Sequence, residues 1–207
     1  MPELPEVETV KTILNNSILN KKILSIDIFK GNIVQQDYDF FKNNIIGSSF
    51  KNISRRGKYL IFNLDNDYSM LSHLRMEGKY YHLKENDKNT DYVKVVFHFD
   101  DNTKLIYDDS RGFGIMSIHK SNDIFNTPEL AKLGPEPFEE LDIKNIMMKV
   151  KNSNIQIKTK LLDQTLFVGL GNIYVDETLY ASKIHPHTPS RLITYEEWEA
   201  IISNARA

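Results

Sequence analysis

Apolar residues at Leu4, Val7, Val10 and Leu14 fall at helical spacing and predict a helix from Pro5 to about Leu14 with one buried stripe. From Lys22 the period changes. Ile23-Leu24-Ser25-Ile26-Asp27-Ile28-Phe29 alternates as a half-buried strand does. Further strands are predicted at Ile53, Tyr59–Phe62, Ser69–Leu71, Lys79–Tyr81, Val93–Phe97 and Leu105–Tyr107, with turn chemistry at Asp100-Asp101-Asn102. Short strands so closely spaced suggest a β-sandwich or barrel-like unit to about residue 120. Gly134-Pro135-Glu136-Pro137 then breaks the chain and marks a domain boundary. Beyond it the period is helical, over Leu141–Val150, Ile155–Leu162 and Ile173–Ala181. A last helix is announced by Thr194 with Glu197 three residues later, a capping box. The expected fold class is therefore α+β: residues 1–132 form a β-sandwich with an N-terminal helix, and residues 133–207 an all-α domain.

Composition narrows the function classes more by exclusion than by suggestion. At 207 residues the chain accommodates one large domain or two small ones, and 41% hydrophobic with 26% charged residues is ordinary for a globular protein. No apolar run approaches the ~20 residues of a membrane span. The N-terminus is acidic and helical, not basic then apolar, so a cytoplasmic compartment is expected. The absence of cysteine excludes disulfides, a Cys-based zinc site and a Cys nucleophile. The six histidines show no HExxH-like arrangement, and no metal site is expected. A net charge of −2 and a pI near 6.3 mean that any basic face must be local.

Five stretches could carry chemistry. Pro2-Glu3-Leu4-Pro5-Glu6-Val7 puts two prolines around two residues directly after Met1. If Met1 is removed, Pro2 carries a secondary amine; with a pKa near ~8, roughly a tenth is free base at neutral pH. It can attack an aldehyde carbon and form an iminium that cannot be neutralised at nitrogen. Glu3 lies beside it for proton transfer. Spacing alone favours a simpler reading, a helix start with carboxylates in its first turn. Ser54-Arg55-Arg56-Gly57-Lys58-Tyr59 is either a solvated basic loop or a phosphate contact, with strand alternation putting Arg56 and Lys58 on one face. His73-Leu74-Arg75-Met76-Glu77-Gly78 reads as a loop between strands, and spacing alone puts Met76 in the core. Asp109-Ser110-Arg111-Gly112-Phe113-Gly114 is either a tight turn with Phe113 in the core or a wedge that fills the gap left by an extruded base. Gly169-Leu170-Gly171-Asn172 is either a phosphate cradle at a helix N-terminus or an ordinary helix start capped by Asn172.

Taken in order, these stretches, with Leu133-Gly134-Pro135-Glu136-Pro137 and Gly169 through Ala181, resemble the bacterial formamidopyrimidine-DNA glycosylase family. The related endonuclease VIII group shares the Pro-Glu start but usually has Gly where this chain has Leu4, so the full string favours the formamidopyrimidine branch. The resemblance implies an N-terminal β-sandwich, a helical domain with a helix–two-turn–helix motif, and DNA across the cleft between them. It implies a bifunctional glycosylase and abasic-site lyase acting, as a monomer in the bacterial cytosol or nucleoid, on oxidised purines in duplex DNA. Pro2 would attack C1′, Glu3 would assist sugar opening, and Lys58 would act on the lesion's phosphate or sugar. Arg55, Arg56 and His73 would lie against DNA. Met76, Arg111 and Phe113 match the residues that fill the vacated stack, while Gly171 and Asn172 would bind backbone phosphate and Lys158 falls in a basic helix segment before that turn.

The chain also departs from the family pattern. Relatives continue into a lesion-covering loop and a zinc-finger hairpin, whereas this sequence ends at Ala207 without a cysteine, so no cofactor is expected in it. Gly112 stands where many relatives have a second Arg, Thr90 where many have a DNA-contacting His, and Asn154 near a usual basic residue. The competing expectation is a truncated module that binds damaged DNA without turnover, or retains lyase activity only.

Overall fold

The structure, a computed structural model, describes residues 1–29 and 31–207. The chain divides into two compact units, Met1–Leu130 and Ala131–Ala207. The first opens with α1 (Leu4–Ser17), followed by β1 (Ile23–Ile28), α2 (Tyr38–Asn43), β2 (Phe50–Arg56), β3 (Tyr59–Leu64), β4 (Tyr68–His73), β5 (Lys79–Lys84), β6 (Val93–Phe99), β7 (Thr103–Asp108) and β8 (Ile115–Lys120). The strands form two antiparallel four-stranded sheets, ordered β1-β6-β7-β5 and β2-β3-β4-β8. Residues two apart, such as Leu60, Phe62 and Leu64 of β3 and Val95, Phe97 and Phe99 of β6, enter one shared core. Phe50 sits at its centre, with ring centroids 5.2 Å from Phe62 and 5.8 Å from Phe97.

The N-terminal helix is longer than its apolar stripe predicts, because Asn15 pairs with a strand. Its amide donates to Ile53 O at 2.8 Å and its carbonyl accepts Ile53 N–H at 2.9 Å, tying the last turns of α1 to β2. Two elements escaped the periodicity. α2 buries Phe41 alone, and its start is set by Asp37, which accepts Phe40 N–H at 2.9 Å. β8 has three consecutive buried residues, Met116–Ile118, so it shows no alternation to read.

The second unit follows a short 3₁₀ turn at Ser121–Asn126 and a one-turn helix, α3 (Pro128–Ala131). It holds α4 (Ile143–Val150), α5 (Ile157–Leu162), α6 (Asn172–Ala181), a 3₁₀ turn at Ser190–Leu192, and α7 (Tyr195–Arg206). Trp198, fully buried, packs with Ile157, Leu161, Val175, Leu179 and Ile201 in a core of its own. α4 begins two residues later than its apolar pattern suggests, since Asp142 accepts Asn145 N–H and so fixes the start. α7 starts on the predicted capping box, with Thr194 N–H donating to Glu197 Oε2 at 2.9 Å and Glu197 N–H to Thr194 Oγ1 at 3.2 Å. Among the described residues no helix is long and apolar enough to cross a membrane.

Candidate active site

Glu3 is the N-cap of α1, and its backbone N–H donates to Glu6 Oε2 at 2.9 Å. That local bond, set by a spacing of three, fixes the backbone next to Pro2. Pro2 is partly exposed, whereas Glu3 is buried at 4% exposure. Pro2, Glu6, Leu74, Met76, Gly78 and Tyr80 line a cavity of about 270 Å³.

Lys58 reaches this neighbourhood by a route that strand alternation does not describe. Arg56 pairs with Tyr59 across β2 and β3, leaving Gly57 and Lys58 as a two-residue hairpin turn. Gly57, with φ +57°, supplies the left-handed first position that such a turn requires. Arg56 and Lys58 therefore do not share a strand face. Lys58 is 5% exposed. Burial holds its ammonium below the usual lysine range, while the charges of Glu3 and then Glu6 oppose that shift. The hairpin is held by Arg55, whose Nε bonds Glu8 Oε2 on α1 at 2.8 Å and whose Nη1 donates to Gly57 O at 2.9 Å. Arg55, expected from the sequence against phosphate, is thus engaged in fixing the turn that carries Lys58, and its pairing lowers the Glu8 pKa. Arg56 is half-buried.

His73 closes β4 with its ring edge-on to Tyr59 at 4.5 Å. Burial, with the Arg75 and Lys58 charges adding to it, pushes its pKa down to about 3, so the ring is neutral. Its Nδ1 accepts Arg75 N–H at 2.9 Å, and Arg75 adopts a left-handed φ of +53°. His73, expected against DNA, is buried, and its acceptor nitrogen is engaged by the turn after it. At the tip of the turn Met76 is 42% exposed, not in the core where spacing put it.

Phe113 is likewise 55% exposed, against the core reading of its motif, and Arg111 stacks over its ring at 5.0 Å. The loop is built from within by a residue sequence reasoning missed. Asp109, fully buried, accepts Arg111 N–H at 3.1 Å and Gly112 N–H at 2.9 Å on one oxygen, and Gly114 N–H at 2.8 Å on the other. An Asp two residues before an Arg and three before a Gly is the Asx-turn signal that could have found it.

In the helical unit the cap of α6 is Gly171, not Asn172, since Gly171 has extended backbone and Asn172 is the first helical residue. Asn172 is exposed and Gly171 buried. The nine residues between α5 and α6 fold around Gln164, also missed, which donates to Leu162 O and Leu170 O, each at 3.0 Å, and accepts Gly169 N–H at 3.0 Å. Gly134 and Pro135 lie under the same turn: Gly134 N–H donates to Gln164 O at 2.9 Å, and Pro135 O accepts Val168 N–H at 3.1 Å. A Cβ on Gly134 would stand 2.5 Å from Thr165 O, so only glycine fits. Lys158 on α5 pairs with Asp176 on α6 at 2.8 Å.

The match to known proteins follows the same two units. The description "Formamidopyrimidine-DNA glycosylase N-terminal domain" matches residues 1–116, and "Formamidopyrimidine-DNA glycosylase H2TH domain" matches residues 133–207. The chain belongs to the formamidopyrimidine-DNA glycosylase family. It is 46% identical to the formamidopyrimidine-DNA glycosylase of Ligilactobacillus salivarius over 99% of this chain and 74% of that protein. It is 43% identical to that of Streptococcus pneumoniae over 97% and 73%. Among solved structures, Lactococcus lactis Fpg in complex with abasic-site DNA superposes with a TM-score of 0.93 at 37% identity, over 99% of this chain and 75% of that one. The same enzyme with N7-benzyl-Fapy-dG DNA gives 0.93 at 38% identity, over 99% and 76%. The chain thus spans about three quarters of these relatives. Helix, paired sheets and helical domain with its two-turn connection are the family fold. The sequence has no cysteine, and among the described residues no group of His, Asp or Glu is arranged to hold a metal ion.

Proposed function

We propose that this family member is a bifunctional DNA glycosylase and abasic-site lyase acting on oxidised purines, of the formamidopyrimidine and 8-oxoguanine type, in duplex DNA. The observation that carries the reading is Pro2 and Glu3 at a helix start together with a buried Lys58, whose ammonium burial holds below the usual lysine range and whose charge Glu3 faces. With Met1 removed, the Pro2 amine attacks C1′ of the damaged nucleotide. The glycosidic bond breaks and the base leaves with a proton. The nitrogen lone pair and C1′ then form an iminium as the sugar ring opens, with Glu3 managing the proton at the ring oxygen. The iminium acidifies C2′. Loss of that proton expels the 3′-phosphate by β-elimination, and water returns the amine. A lysine that loses its proton more readily than usual suits proton transfer in this sequence and still contacts a phosphate when charged.

DNA is engaged by both units, the catalytic sandwich of residues 1–132 and the helical domain of residues 133–207. Extruding the nucleotide costs a few kcal/mol, least at a damaged pair, and the exposed Met76, Arg111 and Phe113 offset part of it by filling the stack. Arg56 and the 171–172 turn are assigned to backbone phosphate. Lys158 contributes there less than a free lysine, given its bond to Asp176.

Borohydride reduction with abasic duplex tests the reading. Protein whose Met1 removal is verified by mass forms a covalent adduct, and Pro2→Ala forms none. Absence of adduct with the processed wild type, or equal trapping by the variant, overturns it. Binding with a clear salt slope but no adduct would identify a non-catalytic DNA-binding module.

A further inference from the structure

Two exposed loop tips carry the proposed wedge: residues 74–78 with Met76, and residues 109–114 with Arg111 and Phe113. They are distant in sequence, yet both end on the same buried atom. Tyr107 on β7 is fully buried, with its ring 5.1 Å from that of Tyr80. A Cβ on Gly78 would stand 2.3 Å from the Tyr107 hydroxyl oxygen, and one on Gly114 would stand 1.7 Å from it. The phenol tip therefore sits directly against the backbone of both glycines, each the last residue of its loop. The hydroxyl also donates to Asp109 Oδ2 at 3.3 Å, the oxygen that accepts Gly114 N–H. On the other side, Gly78 N–H closes its loop by donating to Leu74 O at 2.9 Å.

We infer that the Tyr107 hydroxyl is a positioning group that sets the two wedge loops against a common support, so that Met76 and the Arg111–Phe113 pair enter the base stack as one unit. This rests on the wedge reading above. Tyr107 touches no substrate; it acts through Asp109 and the two glycines. A side chain at either position would collide with the phenol; at Gly78 it would also meet Leu74 O of its own loop at 2.6 Å, whereas at Gly114 the phenol is the nearest obstacle. Burial and the neighbouring Asp109 carboxylate raise the Tyr107 pKa, so the hydroxyl keeps the proton it donates.

Tyr107→Phe tests this, because it keeps the ring and removes only the oxygen. In DNA-free protein, the ¹³C-methyl signal of Met76 and the ¹⁹F signal of fluorinated Phe113, assigned by Met76→Leu and Phe113→Leu, both shift or broaden. Ser72→Ala is the control. It removes the 2.6 Å bond to Tyr80 from the same core and leaves both signals in place. A Tyr107→Phe spectrum in which either signal stays put overturns the coupling, whatever the trapping assay gives. With DNA, the variant forms the borohydride adduct several-fold more slowly on abasic duplex but at the wild-type rate on abasic single strand, where no stack need be opened. Equal losses on both substrates overturn the positioning role. Failure of the wild type to form any adduct counts against the proposed activity instead, and leaves the spectroscopic result standing.

Discussion

Lys58 carries a conflict between stability and chemistry within one side chain. Its pKa is lowered chiefly by burial, so the folded state disfavours the charged form. Below the folded pKa the unfavourable charge is fully present. As pH rises toward the unfolded value of 10.5 the unfolded chain binds more protons, and stability rises. Lys58→Met is therefore expected to be more stable than wild type at pH 7, by an amount that shrinks toward pH 10; urea midpoints at the two pH values check this. His73 follows the same sign in a lower window. Its folded pKa of about 3 lies below the model-peptide value of 6.5, so its contribution is lost as pH falls from 6.5 toward 3. His73→Asn keeps an acceptor for Arg75 N–H but cannot titrate. Its acid-unfolding profile should flatten over that interval relative to wild type, and parallel profiles would contradict the assignment.

At the scale of elements, the site is made of short turns held by single residues. Asp109 alone accepts three backbone N–H groups of the loop that presents Phe113. Asp109→Ala should cost on the order of 1–3 kcal/mol, since it leaves buried donors unpaired. Amide exchange at Gly112 and Gly114 should quicken more than in β6 and β7. The start of α7 depends on Thr194 in the same way, and Thr194→Ala should cost about 1 kcal/mol in chemical denaturation. The helix and its capping box were legible because their signals lie within four residues. The hairpin turn at Gly57-Lys58 was not: the alternation on either side runs through the turn, and only the pairing of Arg56 with Tyr59 says where one strand ends.

At the scale of the molecule, the described residues form two cores that share no residue. Removing the Trp198 side chain from the helical core should cost about 3–5 kcal/mol. The expected result is lost exchange protection in α5, α6 and α7 while β3, β6 and β7 keep theirs; loss in both at once would show a single cooperative unit. Trp198 also leaves its indole N–H without a partner among the described residues, so Trp198→Phe should recover part of that cost.

The sequence by itself determined the first helix, most of the strands and the later helices in their order, because periodicity, caps and residue type are local properties; α2 and β8, with no period to read, escaped it. It could not determine which of the candidate groups are buried or paired. Exposure of Met76 and Phe113, the commitment of Arg55 to Glu8 and of His73 to its own turn, and the seating of two remote glycines on Tyr107 arise from contacts between residues far apart in the chain. The tertiary structure alone decided these, since burial and a shared hydrogen-bond partner are properties of packed neighbours and leave no periodic trace.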